Sequence, residues 1–247
     1  MMMRRILPLV AALLLLSVAP ALAVDGAAFL KKLDENLYPP SYELFRKIID
    51  VQPDGSKREF TLYGIRKGTD KIVSLFLAPA SDKGRVTLRL GDNMWLYIPS
   101  VGKPVRITSL QSVTGGIFNN ADIMALDYHL EYTCEDIREE GDRYVLKLKA
   151  KTGAVAYDRL VMEADKKRAL PTKIECYAAS GMLIKTLYFK ELKEFGPGFF
   201  RPSIIETDSP LHKGYKSYMV FAKIQKRVFP DEVFTLNYLP NVESLRR

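Results

Sequence analysis

A curled, open antiparallel half-barrel is the fold the sequence predicts, on three observations. From Tyr42 onward the chain reads as about a dozen apolar-alternating segments, spaced roughly 8–12 residues apart by Gly, Asp and Asn turns. Only one segment carries a clear helical stripe, too little for a separate helical layer. A sheet of that many strands must curl or split in two, and two helical segments are enough to plug one concave side. The predicted class is therefore all-β with a few helices, an open half-barrel whose apolar concave face is covered by helices.

Residues 1–23 read as a secretory signal peptide. Arg4 and Arg5 precede an apolar core from Ile6 to Val18, and Ala21-Leu22-Ala23 gives a small-x-small site with cleavage after Ala23. The run is shorter than the roughly 20 residues a membrane span requires, and no cysteine stands at the site to accept lipid. Removing it leaves 224 of the 247 residues, and without a low-complexity linker or internal repeat, 24–247 reads as a single domain.

Asp25 caps a predicted helix over Gly26–Leu37, with Phe29, Leu30, Leu33 and Leu37 on one face and Lys31, Lys32 and Glu35 on the other. Tyr38-Pro39-Pro40 ends it. Strands follow at Tyr42–Gln52, Lys57–Arg66, Lys71–Ala78, Arg85–Leu90 and Met94–Ile98, and again at Tyr128–Arg138, Arg143–Ala150, Val155–Ala164, Thr172–Ala179 and Met182–Glu194. Beyond the Gly196-Pro197-Gly198 corner lie Ser203–Thr207, Lys216–Gln225 and a last apolar piece, Phe229–Leu239. At Gly91-Asp92-Asn93 a three-residue loop puts Leu88 and Leu96 on one face. A two-residue turn at Asp92-Asn93 instead pairs Leu88 with Tyr97 and turns Trp95 inward.

The stretch from Gly91 to Tyr128 is the unusual one. Between Thr108 and Ala125 it is apolar, yet Gly115-Gly116 and Asn119-Asn120 make it a poor continuous helix or strand. So long an irregular segment in a compact domain is a lid, a binding loop or disordered, and its apolar content excludes disorder. It is read as a movable cover hinged at Gly115 and Gly116.

The formal charge of +8 includes the two arginines of the leader, leaving +6 for 24–247. That excess is scattered along strands, as in Arg85-Val-Thr-Leu-Arg89, and reads as solvated strand faces. Without a basic stripe nucleic acid is a poor partner for an exported chain, while anionic lipid surfaces stay open. Cys134 and Cys176 would stand three strands apart in an up-and-down meander, about 14 Å at ~4.8 Å per strand. A disulfide requires Cα atoms within about 7 Å, so two buried or half-buried thiols are expected.

Catalytic groups are scarce. The two histidines, His129 and His212, have no metal-ligand spacing, and no HExxH, CxxC, GxSxG or phosphate-loop pattern is present. No metal, cofactor or catalysis is expected. The apolar inventory points to binding: Trp95, Leu96, Tyr97, Ile117, Phe118 and Met124 crowd one stretch, joined by Phe29, Leu33, Leu62, Phe76 and Leu88. Each has a plain core reading. A cavity lined by such groups under a mobile cover can hold an acyl chain, at about 0.8 kcal/mol per buried CH₂.

The run Gly84-Arg-Val-Thr-Leu-Arg-Leu-Gly-Asp-Asn-Met-Trp-Leu-Tyr-Ile-Pro99, with Gly102-Lys-Pro and Ser109-Leu-Gln-Ser-Val-Thr-Gly-Gly-Ile-Phe-Asn-Asn-Ala-Asp-Ile-Met124, resembles the outer-membrane lipoprotein-sorting proteins, relatives of the periplasmic carrier LolA. The resemblance runs from Leu37-Tyr-Pro to Val233-Phe-Thr-Leu-Asn-Tyr-Leu239, and the family's Trp-x-Tyr-x-Pro element falls on Trp95, Tyr97 and Pro99. It implies an incomplete barrel closed by helices, located in the periplasm, sheltering the acyl chains of a lipoprotein or another lipid. The expected function is a carrier that opens at Gly115-Gly116 and passes its cargo between membrane-embedded donor and acceptor proteins towards the outer membrane. The alternative is a lipid or lipoprotein sensor that regulates or assists an envelope transporter.

Overall fold

The computed structural model describes residues 24–112, 114–124 and 127–246. The predicted leader and its cleavage site lie outside them. Helix α1 (Gly26–Leu37) starts where expected, with the Asp25 carboxylate accepting from the Ala27 and Ala28 amides. It buries Leu30, Leu33 and Leu37.

Thirteen described strands follow. They are β1 (Ser41–Val51), β2 (Lys57–Lys67), β3 (Lys71–Ala78), β4 (Val86–Leu90), β5 (Asn93–Tyr97), β6 (Val105–Ile107), β7 (Tyr132–Glu140), β8 (Arg143–Ala150), β9 (Arg159–Asp165), β10 (Leu170–Tyr177), β11 (Leu183–Glu194), β12 (Phe200–Asp208) and β13 (Lys216–Lys226). All lie in one antiparallel sheet, in the order β6-β5-β4-β3-β2-β1-β13-β12-β11-β10-β9-β8-β7. The sheet stays open, with β6 and β7 at its edges.

Short helical turns α2 (Asn120–Ile123) and α3 (Tyr128–Glu131) stand between β6 and β7. The strand expected from Tyr128 thus begins four residues late, because Tyr128–Glu131 forms a turn of helix whose first amides bond Asp34. Phe229–Leu239 is also no strand. Pro230 and Pro240 lack the amide a central ladder requires, and the segment forms 3-10 turns at Asp231–Phe234 and Leu236–Leu245.

The sheet carries apolar clusters on both faces. The larger joins α1, the segment between β6 and β7, and alternate residues of the strands, among them Leu62, Phe76, Leu146, Ile174 and Met219. The smaller lies on the outer face of β2 to β5, where Tyr63, Val73, Leu75 and Leu88 are covered by Phe229, Val233, Phe234, Leu239 and Val242 of the C-terminal segment. Cys134 and Cys176 are free thiols, on β7 and β10, three strands apart.

Candidate functional site

The concave face is where the predicted site residues converge. Leu33 of α1, Leu62 and Phe76 of the sheet, and Phe118 and Met124 of the cover share one buried cluster. Phe29 packs against its margin, edge-on to Tyr144 at 5.0 Å. Ile117 is also buried, while Leu96, in phase with Met94 on β5, is half-buried. The voids against this face measure about 10 and 20 Å³, room for little more than a water molecule. The side chains of the 108–126 segment, among them Phe118, Ile123 and Met124, pack directly against this face. Phe118, Ile123 and Met124 together carry roughly as many side-chain heavy atoms as one palmitoyl chain.

Leu88, Trp95 and Tyr97 do not join this face. The turn after β4 is the two-residue Gly91-Asp92, with Gly91 at φ +55°, so Leu88 pairs with Trp95 and Met94 points inward. Those three side chains lie on the outer face under the C-terminal segment. Alternation could not tell the faces apart, because β3 and β4 are buried on both, Thr87 and Arg89 included. The Trp-x-Tyr-x-Pro element is thus structural, and Pro99 closes it by packing against the Cα of Gly84. As Trp95 is the chain's only tryptophan, its emission is expected to stay unchanged when an acyl chain enters the concave face. A large shift on binding, read by fluorescence titration, would place the guest on the other side of the sheet.

Polar contacts hold the cover's tip against one end of the half-barrel. Asn119 caps α2 through the Asp122 amide, and the Asp122 carboxylate returns a bond to the Asn119 amide. The Lys185 ammonium donates to Asp122 Oδ2 at 2.8 Å and to the Ile117 carbonyl at 2.5 Å, and both side chains of that ion pair are 3% exposed. Tyr157 donates to Asp122 Oδ1 at 2.8 Å and accepts from Asn119. Burial, and the Asp122 charge next, raise the Tyr157 phenol well above its ordinary pKa, so it remains a donor. The Ile117 amide donates to Ser217, whose hydroxyl donates to Asp50 at 2.5 Å.

The predicted hinge has a sharper role than flexibility. Gly115 takes φ +79°, closed to β-branched residues and to proline, and a Cβ on Gly116 would land on the Asp50 carboxylate. Glycine is what lets the segment pack this closely against the end of β1.

A second set of contacts anchors the cover's other end to α1. Asp34 accepts from the Tyr128 and His129 amides at 3.1 and 2.8 Å and lies 3.4 Å from His129 Nδ1. Arg66 pairs with Asp127 at 2.5 Å, and Arg89 with Glu131 at 2.6 Å. Burial pushes the Asp34 carboxyl up to about 7, with neighbouring Asp127 adding to the rise. A folded pKa above the unfolded 3.8 means the protonated form is the better tolerated one. This contribution to stability is complete below about pH 4 and is lost as the pH rises through about 7, on the order of a few kcal/mol. Asp34→Asn is therefore expected to flatten the decline of thermal stability between pH 4 and 7. An unchanged slope in the variant would assign it to another group.

These charged residues read from sequence as solvated strand faces, and the structure corrects that. Arg46 and Asp50 share the alternation phase of Tyr42, Leu44 and Ile48 in β1, and Lys185 that of Leu187 in β11. That phase was the available signal.

At the opposite end of the strands the half-barrel is open. A cleft of about 600 Å³ lies between the α1–β1 corner and the β11–β12 hairpin, lined by Pro39, Phe195, Pro197, Phe199, Ile224 and Lys226. Among the described residues no His, Cys, Asp and Glu group could hold a metal, and no helix is long and apolar enough to cross a membrane.

An open antiparallel half-barrel with a helix and a hinged segment over an apolar hollow defines the LolA-like class. Solved structures agree. A LolA superfamily protein from Nitrosomonas europaea is 27% identical with a TM-score of 0.79, over 87% of this chain and 100% of that one. A DUF1329 family protein from Desulfovibrio piger matches at 21% identity and TM-score 0.75, over 87% and 97%. A domain assigned to outer membrane lipoprotein sorting, from Vibrio parahaemolyticus, matches at 18% and 0.72, over 87% and 98%. No curated protein matches the chain significantly. A family model described as "Uncharacterized protein" matches residues 68–241. The chain belongs to that family, and its fold is that of the LolA superfamily structure.

Proposed function

We propose that the protein is a periplasmic carrier that shelters acyl chains of lipoproteins or other lipids on its concave face and passes them to a membrane-embedded partner, without catalysis. One observation supports this most. The apolar concave wall of the sheet is covered by side chains of α1 and of the 108–126 segment, and the tip of that segment is held by a small set of polar bonds from Lys185 and Tyr157. A guest chain replaces apolar contacts with apolar contacts, so the exchange is reversible. The reading includes export by residues 1–23 and a mature single domain 24–247, which N-terminal sequencing of the protein from its own envelope would check.

Two measurements test it. A fluorescent fatty acid should bind the mature chain saturably, and loaded protein should deliver cargo to acceptor vesicles. Binding without delivery would favour the sensor reading over the carrier. Absence of any binding, with no lipid in the mass spectrum of material co-purified from the envelope, would remove both.

A further inference from the structure

Three arginines on the concave face have no task in the shelter of a hydrocarbon chain. Arg46, Arg66 and Arg201 are 4%, 2% and 0% exposed. Each keeps one buried nitrogen without a hydrogen-bond partner among the described residues: Nε of Arg46, Nη1 of Arg66 and Nη2 of Arg201. Arg66 is paired with Asp127, and Arg201 donates to the Leu37 carbonyl at the end of α1 at 3.0 Å. Arg46 has no carboxylate partner among the described residues. Its guanidinium meets only the Ser74 hydroxyl at 3.2 Å and the Met219 sulfur at 3.8 Å.

The three stand around one aromatic side chain. The Tyr38 ring lies 5.0 Å from the Arg66 guanidinium and 4.8 Å from that of Arg201, and Tyr42 stacks on Tyr38 at 6.0 Å. Arg46 and Arg201 both lie within electrostatic range of Tyr42 and of each other. Three cations thus face two carboxylates, Asp127, which pairs with Arg66, and Asp34, whose oxygens accept from the Tyr128 and His129 amides, so Arg46 is left without a partner of opposite charge. A buried cation without a counter-charge is costly, and aromatic stacking offsets only part of that cost. The position is informative as well. Pro39 follows Tyr38, Phe200 precedes Arg201, and both line the open mouth. Tyr38 and Arg46 line a small void of about 10 Å³ with Ile123 of the cover, so the cluster lies between this end of the half-barrel and the cover.

Building on the carrier reading, we propose that this cluster is an anion site for the guest's head. The guest is an amphiphile whose hydrocarbon chain ends in a carboxylate or a phosphate. Its chain runs along the concave face towards the cover, and its head takes the space of the Tyr38 ring among Arg46, Arg66 and Arg201.

The test compares palmitate and palmitoyl lysophosphatidate with hexadecanol, a neutral chain of the same length, at pH 8 on the mature protein. Wild type is expected to bind the anionic chains about ten-fold tighter or more. Arg46→Met fills the same space without a charge and is expected to fold. It should bring the ratio close to unity by weakening the anionic ligands alone, and Arg46→Lys should restore part of it. Whichever anionic chain binds tighter identifies the head. Equal affinities in wild type, or a ratio unchanged in both Arg46→Met and the Arg46→Met/Arg201→Met double variant, would overturn the anion site while leaving the carrier reading intact. Inorganic phosphate displacing the anionic chains at its own equal affinity would also overturn it, in favour of a free-anion site. Failure of every chain to bind wild type would remove the carrier reading and this site together.

Discussion

Oxidised Asp50→Cys/Gly116→Cys protein is expected to take up no acyl chain, and the same protein after reduction to take it up again. A side chain on Gly116 points at the Asp50 carboxyl, which the substitution removes, so the paired cysteines bring their two thiols together. The bridge would fix the cover's tip to the end of β1, leaving Phe118, Ile123 and Met124 in the hollow. Comparing the two redox states of one variant cancels the loss of the Asp50–Ser217 hydrogen bond. Uptake by the oxidised form at the reduced form's rate would mean that chains enter without the cover moving. Gly115→Pro, which looks like an equivalent way to stiffen the hinge, should act in the opposite sense. Proline holds φ near −65° and Gly115 stands at +79°, so that variant should spring the cover open.

Lys185→Met is expected to have the next largest effect. It leaves the Asp122 carboxylate buried beside Tyr157 and the Ile117 carbonyl without its ammonium donor. Breaking a buried ion pair from one side costs about 3–5 kcal/mol. Part of that loss should be local, because the group left behind belongs to the cover, and opening it returns Asp122 to water. Hydrogen exchange should therefore quicken at the amides of 114–123 more than in β1 or β13, with faster uptake of a fluorescent fatty acid. The double variant Lys185→Met/Asp122→Leu, with no charge left to strand, should regain much of the stability. If Lys185→Met unfolds at the wild-type denaturant midpoint with unaltered exchange at 114–123, the pair is not a latch.

Much of the fold is written in period-two alternation. β3 and β8 were legible to the residue, and α1 was marked by its Asp25 cap and the Tyr38-Pro39-Pro40 stop. The cover was legible through composition, since an apolar stretch broken by glycines is too irregular for a ladder strand and too hydrophobic to stay in water. Which face is inside was not legible at β4 and β5. Both faces there are buried, one by the cover and the other by a C-terminal segment whose alternation looks like one more strand, and a one-residue difference in the turn decided the matter. The buried ion pair was hidden for another reason. Lys185 and Asp122 are 63 positions apart, and each by itself looks like an ordinary solvated residue. Arg46 could have been found, because it interrupts the inward series Tyr42, Leu44, Ile48 with a cation.

The sheet's two edges never meet. In a closed barrel, strand number and stagger dictate the circumference, and only a cargo of one girth fits. Here β6 and β7 are free to draw apart through small changes in twist distributed over the strands between them, without any rung of the ladder being surrendered. A carrier built on such a sheet would have a hollow of adjustable bore, able to grip one tail or several with the same set of backbone bonds.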